Sequence, residues 1–128
     1  MEHKVIDGWL ETTSVEGELD AYTAPRLLEA ITRALDEGIS WILVDLRNVD
    51  YIDSVALGIL IGGVKRAGEK NGDLAVVCTR PNVRRVFDVS GTAELLNVQE
   101  DMERAIELLA NERAARSGGT AQRGDERP

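Results

Sequence analysis

The chain is 128 residues long, 43% apolar and only 4% aromatic, with a formal charge of −8 at neutral pH. That length suits one domain around a single core, packed by Val, Ile, Leu and Ala rather than by rings. The acidic balance argues against nucleic acid as a partner, because backbone phosphates demand a basic surface, and it favours basic partners instead.

The N-terminus, M-E-H-K, has no basic segment leading into an apolar one, so no secretory signal is expected and the cytoplasm is the default compartment. Val5-Ile6 and Trp9–Val15 flank Asp7-Gly8, a dipeptide suited to a type I′ hairpin turn. Trp9, Glu11, Thr13 and Val15 share one face, an imperfect alternation that fits a sheet-edge hairpin with a short first strand. Gly17-Glu18-Leu19-Asp20 is expected to turn the chain. Thr23 is placed to cap a helix with Pro25 in its first turn and Gly38 at its end. Leu27, Leu28, Ile31, Ala34 and Leu35 form the buried stripe of that helix.

Trp41–Leu46 reads as a strand covered on both faces. A short polar loop then leads into Asp53-Ser54, where a helix begins and runs to about Lys70, stopped by Asn71-Gly72. Its segment Val55–Val64 is the longest apolar run, well short of the ~20 residues a membrane helix needs, so no membrane partner is expected. Leu74–Thr79 reads as another buried strand and contains Cys78, the only cysteine, which is expected to be a buried, inert thiol. Pro81-Asn82 opens a short helix carrying Val83, Val86 and Phe87 and closed by Gly91. Leu95–Val98 suits a last strand, and Glu100–Glu112 an amphipathic helix with acidic residues in its first turn.

From Arg113 no apolar period survives, so residues 113–128 are expected to be a disordered tail and residues 1–112 the folded domain. The tail carries a net +2, which leaves the folded part more acidic still. A hairpin followed by alternating helix and strand predicts an α/β sandwich, with a mixed sheet of four to five strands against about four helices.

Chemistry concentrates at Asp53-Ser54. Asp53 is a natural N-cap and Ser54 the first helical residue, which places a hydroxyl at the positive end of a helix beside a carboxylate. Two readings stay open: a plain helix start, or a serine poised to carry a phosphate. Asp20 follows a strand, in a loop that could lie beside Ser54. Gly58, Gly62 and Gly63 each cost the helix roughly 1 kcal/mol against alanine, which suggests close approach of another backbone, internal or from a partner.

Enzyme readings fare badly. Ser54 lies outside a G-x-S-x-G elbow, His3 is the only histidine, and no Walker A or G-x-G-x-x-G sequence is present. Asp20, Asp45, Asp50 and Asp53 are the available carboxylates for magnesium, but such loop-end acids usually serve as solvated caps, and no cofactor is expected. Arg80, Arg84 and Arg85 fit a solvated helix face or a contact with an acidic partner.

G-E-L-D at 17–20, T-A-P-R-L at 23–27, the strand W-I-L-V-D-L and the segment V-D-Y-I-D-S-V-A-L-G-I-L together resemble a STAS domain, in particular the bacterial anti-sigma factor antagonists. The likeness runs from about Trp9 to Leu109. It implies a STAS-like sandwich that is not itself an enzyme. It further implies two partners: an anti-sigma factor that is also a serine kinase of the GHKL ATPase type, and a serine phosphatase. By position, Ser54 is the implied phosphoacceptor and Asp53 its acidic neighbour, and Asp20, Asp53, Ser54, Val55 and Gly58 form the implied partner-facing surface. Val55 and Ala56 depart from the usual D-S-[ST]-G-L-G, the first strand is shorter than usual and the basic tail is extra. A STAS scaffold or transport-associated module that binds a ligand, lipid or protein is the alternative within the same fold. A phospho-aspartate receiver would need an acidic pair after its first strand and a lysine after its last, and neither is evident.

Overall fold

The structure, a computed structural model, describes the backbone of residues 1–122 and the side chains of residues 1–117. Its elements are β1 (Glu2–Ile6), β2 (Leu10–Leu19), α1 (Ala24–Asp36), β3 (Trp41–Ile52), α2 (Ser54–Glu69), β4 (Asp73–Val77), α3 (Pro81–Ser90), β5 (Val98–Gln99) and α4 (Met102–Gln122). The strands lie in the order β1-β2-β3-β4-β5. β1 and β2 are antiparallel, and the remaining pairs are parallel. The expected mixed α/β sheet with four helices is what forms.

The hairpin turns where the sequence places it. Asp7 and Gly8 both have positive φ, 52° and 74°, and Trp9 N–H donates to the Ile6 carbonyl at 3.2 Å, as a type I′ turn requires. α1, α2 and α3 cover one face of the sheet, where Leu27, Ile31, Leu60, Val64, Val83 and Phe87 meet Ile42, Val44, Leu46, Leu74 and Val76. α4 alone covers the other face, with Ala105 and Leu109 on Leu10, Trp41, Leu43, Ala75 and Val77. Consecutive residues of β3 and β4 thus enter opposite layers, which is why both strands read as unbroken apolar runs. Complete burial of a leucine such as Leu60 stabilises the fold by about 1.5–3 kcal/mol. Cys78 is buried as expected, and burial pushes its thiol above the usual range, so it stays protonated and unreactive.

Leu28 is exposed rather than part of the buried stripe of α1, the last strand is Val98–Gln99 rather than Leu95–Val98, and three larger expectations also need correction. First, β3 does not end at Leu46. It continues through the supposed polar loop to Ile52, paired with β2 out to Leu19, so Gly17–Leu19 is strand rather than turn. Two bulges each insert one extra residue into β3, opposite Ser14–Glu16 and Gly17–Glu18. Leu46, Val49 and Ile52 therefore face one layer at a spacing of three, and the period-2 signal is lost.

Second, the Thr23 side chain caps nothing. Its hydroxyl turns back to donate to the Glu18 carbonyl, 2.7 Å, and to accept from Asp20 N–H, 2.9 Å.

Third, α4 runs past Glu112 to Gln122, so helix occupies residues 113–122 of the expected tail, while residues 123–128 lie outside the described residues. Arg113 stacks on the Trp9 ring, 4.7 Å from its centroid, and Arg116 on Trp41, 5.1 Å. Arg116 also donates to the Gly72 carbonyl at 2.5 Å and pairs with Asp73 at 3.5 Å. The helix is extended by cation–π and ionic contacts, which leave no apolar period to read.

Candidate functional site

Parallel pairing brings the carboxyl ends of β2, β3 and β4 to one end of the sheet, and α1, α2 and α3 all start there. Leu19 is opposite Ile52, so the next residues on each strand, Asp20 and Asp53, emerge side by side. Segments 32 residues apart in sequence thereby share one site, joined by Ala21 N–H donating to Asp53 Oδ2 at 3.0 Å.

Asp53 is the N-cap of α2: its backbone is extended, and Oδ1 accepts from Ala56 N–H at 2.9 Å. Ser54 follows as the first helical residue. It is exposed, and its hydroxyl makes no hydrogen bond to the described residues. The N–H groups of Ser54 and Val55 also find no acceptor among them, because first-turn amides have no helical carbonyl before them and the cap Asp53 takes those of Ala56 and Leu57. An unengaged hydroxyl therefore stands at the positive end of a 16-residue helix with two free amides.

Asp20 organises its own loop. Its Oδ1 accepts from Tyr22 N–H at 2.9 Å and from Thr23 N–H at 3.1 Å. The Tyr22 amide, foremost among these bonds, holds the Asp20 carboxyl below the usual carboxylate range, so it is ionised at neutral pH. Val55 is 46% exposed and Gly58 lies on the same outward side of α2. Neither Gly58 nor Gly62 has an atom within 4 Å of where a Cβ would sit; only Gly63 packs closely, 3.1 Å from the side chains of Ile31 and Leu74. An internal backbone contact thus does not explain Gly58 and Gly62.

The sequence reading did not single out Tyr22 and Tyr51. Both tyrosines of this aromatic-poor chain are exposed at this end, Tyr22 at 92% and Tyr51 at 51%. Their scarcity was the available signal, since a chain with five aromatic rings has reason to bury each one.

The other candidate groups are engaged elsewhere. Asp50 pairs with Arg80, and its carbonyl accepts from Asn82 Nδ2 at 2.6 Å, which ties the end of β3 to α3. Arg84 pairs with Asp88 at 3.5 Å. Asp45 is buried; burial pushes its carboxyl up, but the Arg47 and Ser14 bonds together outweigh this and hold it below the usual range. His3 lies in β1 and faces Thr13 Oγ1 at 3.2 Å and Glu11 at 3.8 Å rather than Ser54. Among the described residues no group of three or more His, Cys, Asp or Glu side chains is arranged to hold a metal, and no helix is long and apolar enough to cross a membrane.

Known proteins share this fold. A relative from Staphylococcus aureus (strain NCTC 8325 / PS 47), an anti-sigma-B factor antagonist, is 36% identical over 89 residues, covering 70% of this chain and 82% of its own. The crystal structure of an anti-sigma factor antagonist from Mycobacterium paratuberculosis superposes with a TM-score of 0.77 at 27% identity, covering 85% of this chain and 92% of that one. The anti-sigma factor antagonist SpoIIAA in its unphosphorylated form has the same fold, with a TM-score of 0.75 at 20% identity over 86% of this chain and 96% of that one. The phosphorylated Bacillus SpoIIAA gives 0.67, also at 20% identity, over 83% of this chain and 96% of that one. The STAS domain family model matches residues 7–105, from the hairpin turn to the packed half of α4, and with the parallel β2–β3 pair that joins G-E-L-D to D-S this places the chain in the STAS domain family.

Proposed function

We propose that this protein is an anti-sigma factor antagonist, a non-enzymatic binding module of the cytoplasm whose interaction is ended by phosphorylation of Ser54. The observation that carries the reading is the exposed, unbonded Ser54 hydroxyl at the start of α2, bordered by exposed Val55 and by the loop that holds up Tyr22. Support also comes from the S. aureus relative, named for that activity.

In this reading the unphosphorylated protein binds an anti-sigma factor that is also a serine kinase of the GHKL ATPase type, and so frees the sigma factor. Asp20, Ser54, Val55 and Gly58 face the partner, while Asp53 is the acidic neighbour whose carboxylate is engaged within the fold. The catalytic machinery belongs to the kinase, and a serine phosphatase restores the hydroxyl.

A phosphate on Ser54 adds about −1.5 to −2 charges. The free amides of Ser54 and Val55 and the helix dipole tolerate that charge, so the fold survives. Asp20 and Asp53 repel it, and a partner surface suited to a neutral hydroxyl would bury it unpaired at a cost of several kcal/mol. Binding is lost without a large conformational change.

Ser54→Ala should bind the purified anti-sigma kinase and accept no phosphate; incorporation at the wild-type level would sink the assignment. Ser54→Asp should bind at least tenfold more weakly by calorimetry, about 1.4 kcal/mol, at a nearly unchanged melting temperature. Recovery of membrane-transport components alone, in place of the kinase, would favour the scaffold reading.

A further inference from the structure

Both oxygens of the Asp53 carboxylate are occupied, each by a different element. Oδ1 takes the Ala56 amide at the start of α2, and Oδ2 takes the Ala21 amide in the loop between β2 and α1. Among the described residues the only other hydrogen bond between residues 19–23 and 53–56 is from Asp53 N–H to the Leu19 carbonyl, at 3.2 Å. The side chains of Asp20 and Thr23 bind only within their own loop and to Glu18, and their carbonyls accept from the first turn of α1. Beyond Ala21 the loop holds up Tyr22, whose side chain is 92% exposed and rests on almost nothing. Where that ring stands relative to Ser54 therefore depends on where Ala21 is held.

We propose that Asp53 is a positioning residue. Its second oxygen fixes the Ala21–Tyr22 loop against the start of α2, so that Tyr22 and Ser54 are offered to the protein partner as one preorganised surface. The inference rests on the partner-binding function proposed above and goes beyond it, because it assigns the Asp53 carboxylate to the free protein rather than to the partner. An exposed tyrosine is a strong anchor at protein interfaces, and an anchor already held in place avoids an ordering cost on binding.

Asn serves as well as Asp at an N-cap, but its amide offers one acceptor and one donor. In Asp53→Asn the oxygen can keep the Ala56 amide, and the NH2 group then faces the Ala21 N–H with nothing to accept it. The substitution separates cap from staple. Amide exchange by NMR on the free variant should show Ala21 exchanging about tenfold faster, with Ala56 still protected and the melting temperature close to wild type. Titration with the purified anti-sigma kinase should show affinity about tenfold lower. Adding Tyr22→Ala to the variant should cost less than adding it to wild type, because the anchor is already misplaced.

Unchanged exchange at Ala21, unchanged affinity, or strictly additive Tyr22→Ala losses would each overturn the positioning role. Asp53→Ser, another good N-cap with a single acceptor, is read in the same way if the Asn variant does not fold. Wild type separates the two levels: if it does not bind the kinase, the proposed function falls and this role with it. If wild type binds and Asp53→Asn binds equally well, the positioning role alone falls.

Discussion

The two ends of the sheet treat their aromatic residues in opposite ways. At the amino ends of β2, β3 and β4, Trp9 and Trp41 meet edge to face, 6.4 Å apart, and each is covered by an arginine from α4. At the carboxyl ends, Tyr22 and Tyr51 are left in solvent, and so is the unbonded Ser54. Backbone groups follow the same division. Gly72 lies so close to Ser40 that a Cβ would fall 1.9 Å from the Ser40 carbonyl oxygen, whereas Gly58 faces open space. One end closes the fold, and the other is held in shape by Asp20 and Asp53 while its outer surface stays unfilled.

That division can be broken from the closed end first. Gly72→Ala forces a methyl into the Ser40 backbone and should destabilise the fold by about 3 kcal/mol, or prevent folding, as urea denaturation would show. A loss under about 1 kcal/mol would mean that this end is not tightly packed. Arg116→Ala removes the stack on Trp41 together with the Gly72 and Asp73 bonds, and should cost about 1–2 kcal/mol and shift tryptophan fluorescence.

At the open end the sign should reverse. Gly58→Ala places its methyl in free space on a helix and should raise stability by up to about 1 kcal/mol while weakening the proposed complex with the anti-sigma kinase. A gain in stability at unchanged affinity would remove Gly58 from the proposed interface.

The smallest effect tests whether the hairpin, between the two ends, is tuned for stability. Burial, foremost, and the nearby Glu37 raise the Glu11 carboxyl above its usual range although Arg33 opposes them. A raised carboxyl favours the folded state at low pH, and that contribution fades as pH rises through the folded value. Glu11→Gln should therefore raise the melting temperature at pH 7, and the advantage should shrink towards pH 4. A pH-independent difference would point to packing instead.

Much of the architecture was legible in the chain because it depends on neighbours. Asp7-Gly8 specifies its own turn, Gly91 closes α3 with a φ of 73°, and Asp53 caps the helix that Ser54 begins. The misreadings share a cause. The last six residues of β3 hide behind two bulges, and a bulge is defined by the partner strand as much as by the residues within it. Thr23 has the composition of a cap, but its hydroxyl finds the Glu18 carbonyl first. The second half of α4 is held by Arg113 and Arg116 against rings more than 70 residues earlier, so nothing in its own spacing announces a helix.

The same distinction runs through the site. A hydroxyl beside a carboxylate at a helix start is a local property, written into Asp53-Ser54 and set by short-range hydrogen bonding. That Asp20 stands next to it, that the second Asp53 oxygen holds the Ala21 amide, and that both exposed tyrosines lie at the same end of the sheet follow only from the parallel pairing of β2 with β3. Strand pairing across more than 30 residues leaves no periodic trace in either segment. The chemistry of the serine was therefore present in the chain from the start, and its surroundings were settled by the sheet.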